Sequence, residues 1–404
     1  MAAREALEGA AALGPESPGW QRFVFPAMGT RVTVLVPSAW ASMASVTADL
    51  FAEWEARLSR FRPTSELSRL NAAAGRPRRV GRLLYGAVET AILAALATDG
   101  LFDPTLLDRL EALGYDRTFE TLVRDEPGRR SADPARPNDP RREGRDVTSM
   151  AARDEEPETR PGSDARRRPV AGRWRHIRLD RHSRTVELPP GVRLDLGGIA
   201  KGMAVDAAVA LLAAVGVPAA AVEAGGDLAV LGSSPDGGRW RIEIEQPATA
   251  APGNGASGGN PRPLVVELEA GAVATSSVGR RRWLAGGAWR HHLIDPRTGA
   301  PATGIWSATV AAPSCTEAEV AAKVALLLGA DGAPAFLRRW GYSGVLIDEE
   351  GSVTAIETID DRAAPTGAAS GDDDAAARAG AGETVRLPTN APMPSPQLEP
   401  APDG

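Results

Sequence analysis

The stretch VRLDLGGIAKGMAVD, Val192 to Asp206, reads as a strand, a tight turn and the start of a helix. Val192, Leu194 and Leu196 alternate with polar positions, as the inner face of a half-buried strand does. Gly197 and Gly198 follow, and the Ala-rich run from Ile199 to Val215 has helical character until Gly216 and Pro218 end it. A strand, a glycine turn and a helix N-terminus gather free backbone N–H groups and the positive end of the helix dipole, and Lys201 adds a formal charge. A phosphate suits that spot; a closely packed turn with a solvated Lys201 explains the same residues. GGIAKG has neither the spacing of a Walker A loop nor that of a dinucleotide fingerprint. Asp195, at the strand end, is placed to bond a ligand, to help hold a cation, or to support the helix that follows.

Working outward, Ala219–Glu223 and Leu228–Leu231 predict strands on either side of Gly225 and Gly226, with Asp227 mainly a turn former. Leu179–Leu196 predicts two strands around the turn Pro189, Pro190, Gly191, and Arg22–Val36 two more around Ala27–Thr30. Ala41–Ser59 has helical spacing in Val46, Leu50, Trp54 and Leu58, and Gly86–Ala97 predicts a second helix. Trp240–Glu245 and Leu264–Glu269 alternate as strands joined by a Gly- and Ala-rich loop, 248–263, and Gly344–Ile347 with Val353–Ile356 predicts a closing hairpin. Thr316–Leu328 predicts a helix stopped by Gly329, with Glu319 completing a capping box from Thr316 and pairing with Lys323 one turn on. Strands and helices in mixed order with several hairpins imply an α+β fold rather than a doubly wound parallel sheet.

The formal net charge of −6 offers no field that would gather nucleic acid or an anionic membrane surface. The single cysteine, Cys315, excludes an intrachain disulfide and a thiolate zinc site. Residues 124–168 are crowded with charge of both signs and nearly devoid of apolar side chains, which predicts a disordered insertion. Residues 1–19 and the Ala-, Pro- and Asp-rich stretch 361–404 predict disordered ends, leaving one catalytic unit over 20–360. No apolar core of a signal peptide stands in the first nineteen residues and no later run reads as a membrane span, so the expected location is cytoplasmic.

Three further segments carry candidate chemistry. In RHHLIDPRTGAP, Arg290–Pro301, strand alternation puts His292 and Ile294 on one face and His291 with Leu293 on the other, so one histidine faces a pocket or both are solvated. Arg280, Arg281 and Arg282 follow ATSS at Ala274–Ser277 and face either an anionic ligand or solvent along a strand edge. In LFDPTLL, Leu101–Leu107, Asp103 and Pro104 fit the cap and first position of a helix.

The order of these pieces, with FPAMGT at Phe25–Thr30, LSRFRPTSELSRLN at Leu58–Asn71 and EAGGDL at Glu223–Leu228, resembles the ApbE-like FAD:protein FMN transferases. The resemblance implies a T-fold-related α+β fold, FAD as substrate, Mg2+ as cofactor, and transfer of FMN through a phosphoester bond to a Thr or Ser of an acceptor protein. FAD hydrolysis to FMN and AMP, or flavin carriage without catalysis, are the alternatives. By resemblance, Met28, Phe61, Leu101, Phe102, Asp103, Asp195 and Ile294 contact the flavin, Lys201 lies beside the phosphates, and Lys201 and His292 serve catalysis. The metal would be held near Gly198 and by an Asp and a Thr whose positions here carry Glu319 and Lys323. Glu319 keeps a carboxylate with a longer reach; Lys323 replaces an oxygen ligand by a cation.

Overall fold

A computed structural model describes residues 18–124, 171–247, 264–285, 288–357 and 384–386. Residues 1–17, the expected insertion from residue 125 onward, the loop 248–263 and most of the expected tail lie outside the described residues.

The centre is an eight-stranded sheet: β1 (Trp20–Ala27), β2 (Thr30–Pro37), β3 (Ala220–Ala224), β4 (Asp227–Leu231), β5 (Gly271–Ser277), β6 (Ile305–Ala312), β7 (Ser343–Asp348) and β8 (Val353–Ile356). Spatial order follows chain order and every pairing is antiparallel, so the α+β reading holds. Four long helices accompany it: α1 (Met43–Leu58), α2 (Arg82–Ala97), α3 (Ala200–Ala214) and α4 (Cys315–Trp340).

Both faces of the sheet are covered, which is why β2 and β3 are buried along most of their length. Val34, Val222 and Ala229 pack against Ala204, Val205, Ala208 and Leu212 of α3 on one face. Leu35, Ala221, Val230 and Val273 pack on the other against Trp240, Ile242, Val266 and Leu268 of a small antiparallel pair, Trp240–Ile244 with Leu264–Leu268. Each large apolar side chain so buried stabilises the fold by about 1.5–3 kcal/mol.

Several local expectations change. The buried stripe of α1 runs through Ala44, Thr47, Phe51 and Leu58, and Val46 is exposed, because the sheet and α3 meet the helix from a face rotated from the predicted one. The strands expected over 179–196 are Arg178–Asp180 and Thr185–Glu187, turning at 181–184 rather than at Pro189. Val192, Leu194 and Leu196 are buried in alternation as expected, but among the described residues no strand pairs with them. Asn71 takes that place, its Nδ2 donating to Leu194 O (2.9 Å) and its Oδ1 accepting from Leu194 N (2.8 Å), while Asp195 N donates to Pro104 O (2.9 Å). A side-chain amide thus satisfies backbone groups that a ladder would otherwise serve.

One described segment falls within the expected tail. Thr384–Arg386 adds to the small pair in parallel register with Val265–Glu267, where an unpaired strand edge offers hydrogen bonds to a β-branched segment.

Gly329, at φ 72° and ψ −173°, breaks the helical geometry of α4 as its sequence predicts, but helix resumes to Trp340. By length and composition α4 is apolar enough to cross a membrane, a length not expected of any run in the sequence. Its apolar residues, among them Ala318, Ala322, Ala325 and Leu326, pack against β5, β6 and β7.

Candidate active site

The turns Met28–Gly29 and Gly225–Gly226 and the outgoing end of β5 lie at one end of the sheet, since Ala224 pairs with Asp227 and Asp227 with Ala274. The N-terminus of α3 and the early turns of α4 arrive beneath them. Above lie two adjoining clefts of about 720 and 900 Å3 that share Arg60, Phe61, Tyr115, Asp195, Gly197 and Arg281. The first brings together Phe61, Leu101, Phe102, Asp103, Asp195, Gly198, His292, Ile294 and Lys323; the second adds Met28 and Lys201. Glu319 lines neither and is buried behind Lys201.

Lys201 is held by two carboxylates. Its Nζ lies 2.5 Å from Asp227 Oδ2 and also contacts Glu319 Oε1, and Glu319 Oε2 accepts from Gly202 N at 2.8 Å. Burial alone would lower the Lys201 pKa, but Asp227 and Glu319 together raise it, so the ammonium stays charged. Burial pushes the Asp227 carboxyl up to about 7 against the pull of Lys201, with Glu319 adding repulsion.

This cluster revises two expectations. Asp227 is more than a turn former, because its strand points the carboxylate inward beneath α3. Glu319 does not cap α4: Ser314 is the N-cap, accepting from Glu317 N at 3.2 Å, and Glu317 reaches back to Ser314 Oγ (3.0 Å). Asp206, from the second turn of α3, adds to that cap by accepting from Cys315 N (2.7 Å) and Thr316 N (2.9 Å).

Lys323 points its ammonium at Gly198. A Cβ on Gly198 would overlap Lys323 Nζ and stand 3.0 Å from its Cε, and Nζ is 5.3 Å from the centre of the Phe102 ring. Burial lowers the Lys323 pKa and Lys201 adds to the effect, while Glu319 and Asp195 oppose it. The expected metal site is therefore poorly matched by its own residues. Both oxygens of Glu319 are engaged, a cation stands at Gly198, and among the described residues no group of three His, Cys, Asp or Glu converges on a metal position. Mg2+ requires near-octahedral oxygen ligation, which this arrangement does not supply.

The two histidines separate as alternation predicts. His291 is satisfied, its Nε2 2.9 Å from Ala302 O and its Nδ1 accepting from Leu293 N (3.3 Å). His292 faces the first cleft with a buried Nδ1 that has no partner among the described residues. Burial pushes the His292 imidazole well below its ordinary value of 6.5, and Arg281 and Lys323 push it further. A base whose folded pKa is depressed binds its proton in the unfolded chain first, so acid between that depressed value and 6.5 favours unfolding. His292→Gln is expected to flatten the loss of stability between about pH 7 and pH 5, measured by urea midpoints; equal slopes in both proteins would remove His292 as the cause.

Arg60, unremarked inside its sequence segment, proves central. Its side chain is only 6% exposed, its Nε is 3.4 Å from Asp195 Oδ2, and its guanidinium lies 4.0 Å from the centre of the Phe61 ring and 4.7 Å from that of Tyr115. The only hint in sequence was its place beside Phe61. Arg281 donates to Gly29 O at 3.3 Å and lines both clefts, so of the three arginines it alone faces them, whereas Arg280 bonds Glu245 and Arg282 stacks on Trp289. Asp103 caps no helix. Its Oδ1 accepts from Thr105 N (2.7 Å) and its Oδ2 from Gly172 N (2.6 Å), and the nearby helix begins only at Leu107, so its carboxylate braces the cleft wall.

The sequence profile of the ApbE family matches residues 28–346. The chain belongs to the ApbE family. A FAD:protein FMN transferase of Treponema pallidum is 31% identical over 333 residues, covering 78% of this chain and 79% of that relative. A FAD:protein FMN transferase of Rhodobacter capsulatus is 36% identical over 169 residues, which span 41% of this chain and 30% of that relative. Among solved structures, the ApbE protein of Thermotoga maritima superposes with a TM-score of 0.63 at 25% identity, covering 83% of this chain and 96% of that one. The apo flavinyl transferase ApbE of Pseudomonas stutzeri shares the fold with a TM-score of 0.61 at 24% identity, over 85% and 96% of the two chains. The ApbE match spans every residue of both clefts.

Proposed function

We propose that this chain transfers the FMN half of FAD to a Thr or Ser hydroxyl of an acceptor protein and releases AMP. The hydroxyl oxygen attacks the phosphorus on the FMN side, the bond from that phosphorus to the oxygen bridging to AMP breaks, and the hydroxyl proton leaves to a base. Such a reaction asks for positioning and for neutralised charge more than for covalent chemistry. The observation that carries the reading is the buried, unpartnered Nδ1 of a neutral His292, facing a cleft walled by rings and cations. His292 accepts or orients the hydroxyl proton.

Phe61, Leu101, Phe102 and Ile294 supply flat and apolar surface for the isoalloxazine, with Met28 at the rim and Asp195 and the braced Asp103 as polar neighbours. Arg60, Arg281 and Lys323 face the pyrophosphate. Lys201, already balanced by Asp227 and Glu319, orders the floor beneath it rather than standing as a free phosphate ligand. Gly198 and Glu319 do not form a site for Mg2+, so the charge of the pyrophosphate falls to Arg60, Arg281 and Lys323. The acceptor protein is identified only by the hydroxyl it must present.

Incubation of the protein with FAD, with and without a Thr-bearing peptide, tests the reading through AMP release and peptide mass. A peptide heavier by FMN supports transfer; AMP without modified peptide replaces the reading by hydrolysis, and bound FAD with neither product by carriage. His292→Ala is expected to slow transfer by about 10²-fold or more while FAD affinity stays within a few-fold. Full activity in that variant would remove the role given to His292.

A further inference from the structure

We infer that Lys323 is a built-in cation that takes the pyrophosphate of FAD in place of a divalent metal, so that binding and turnover proceed without magnesium. The inference rests on the reading of FAD as substrate. Three observations carry it. The Lys323 ammonium fills the space in front of Gly198, which only a residue without Cβ leaves open. Among the described residues Nζ forms no hydrogen bond or ion pair, and the nearby carboxylates are taken. Glu319 and Asp227 hold Lys201, and Asp195 faces Arg60 and accepts from Gly197 N. The ammonium therefore reaches the first cleft with its donors unspent, beside the Phe102 ring.

A cation desolvated in this way is costly unless an anion arrives to pair with it. A pyrophosphate, rich in acceptors and doubly charged, is the anion that restores the balance, and lysine binds phosphate as a point charge. A divalent ion at Gly198 would meet this ammonium at short range and lose oxygen ligands to it. Lysine and metal are alternatives for one position.

The test uses the full chain, with FAD binding followed by flavin fluorescence in EDTA and in Mg2+, and with calorimetric titration of Mg2+ alone into the FAD-free protein. Wild type is expected to bind FAD within about two-fold in the two buffers, to release AMP in EDTA, and to give no heat with Mg2+. Lys323→Met, close in shape, is expected to weaken FAD binding in EDTA by about 10- to 100-fold, as removal of a charge-assisted hydrogen bond does. Gly198→Ala keeps the lysine and displaces its ammonium, so a smaller loss in the same direction reads placement of the charge rather than a folding defect. Magnesium heat with collapse of wild-type binding or turnover in EDTA would overturn the inference, as would Lys323→Met or Gly198→Ala binding FAD as tightly as wild type. Failure of wild type to bind FAD in either buffer would instead overturn the FAD reading, and this inference with it.

Discussion

Lys201→Met is expected to cost the folded protein about 3–5 kcal/mol, because it leaves two buried carboxylates facing each other without their cation. Asp227 and Glu319 have side chains 3% and 5% exposed, so water cannot replace the ammonium. Asp227 would have to take a proton to remain inside, and its carboxyl is already pushed up to about 7 with the lysine present. Stability of the variant should therefore rise as pH falls toward the ordinary carboxylate range, the reverse of acid unfolding. Urea unfolding near neutral and mildly acidic pH measures this. The triple variant Lys201→Met, Asp227→Asn, Glu319→Gln should recover most of the loss, since it removes the charges together. A loss below about 1 kcal/mol in Lys201→Met would mean the pair is solvated and worth no more than a surface bridge.

Gly202→Ala should separate α3 from α4. A Cβ at residue 202 would lie 2.7 Å from Cys315 O, 2.9 Å from Cys315 C and 3.0 Å from Glu319 Oε2. Two of these are backbone atoms at the start of α4, anchored to α3 by Asp206, so the clash cannot be relieved by a rotamer change. Overpacking of this kind costs about 1–3 kcal/mol, more than the roughly 1 kcal/mol that Ala gains over Gly in helix propensity. The shift also moves Glu319 off Gly202 N and loosens Lys201, so FAD affinity should fall together with the melting temperature. A variant more stable than wild type, with unchanged FAD affinity, would show that the helices do not meet as closely as this.

Which features were legible in the sequence follows from how far apart their causes lie. Alternation located the β1–β2, β3–β4 and β7–β8 hairpins, and helical spacing with terminal glycines located α2, α3 and the break at Gly329, since those signals sit within a few residues. The same alternation separated His292 from His291. Glu319 misled because its neighbours offered a complete local account, a cap and an ion pair, while its actual partner Lys201 is 118 positions away in the chain. Asp227 misled for the same reason, with Lys201 26 positions away. Arg60 is significant only through Asp195 and Tyr115, which reach it from elsewhere in the fold.

By itself the sequence determined the alternation of strands and helices, the α+β class, and which residue types are present for flavin and phosphate chemistry, because each is a matter of local propensity and periodicity. Only the tertiary structure decided which carboxylates hold Lys201, that Asn71 completes the Val192–Leu196 segment, and that Lys323 rather than an oxygen ligand stands before Gly198. Those outcomes depend on burial and on pairing between distant segments, and the charge balance of a desolvated site exists only once the chain has closed around it.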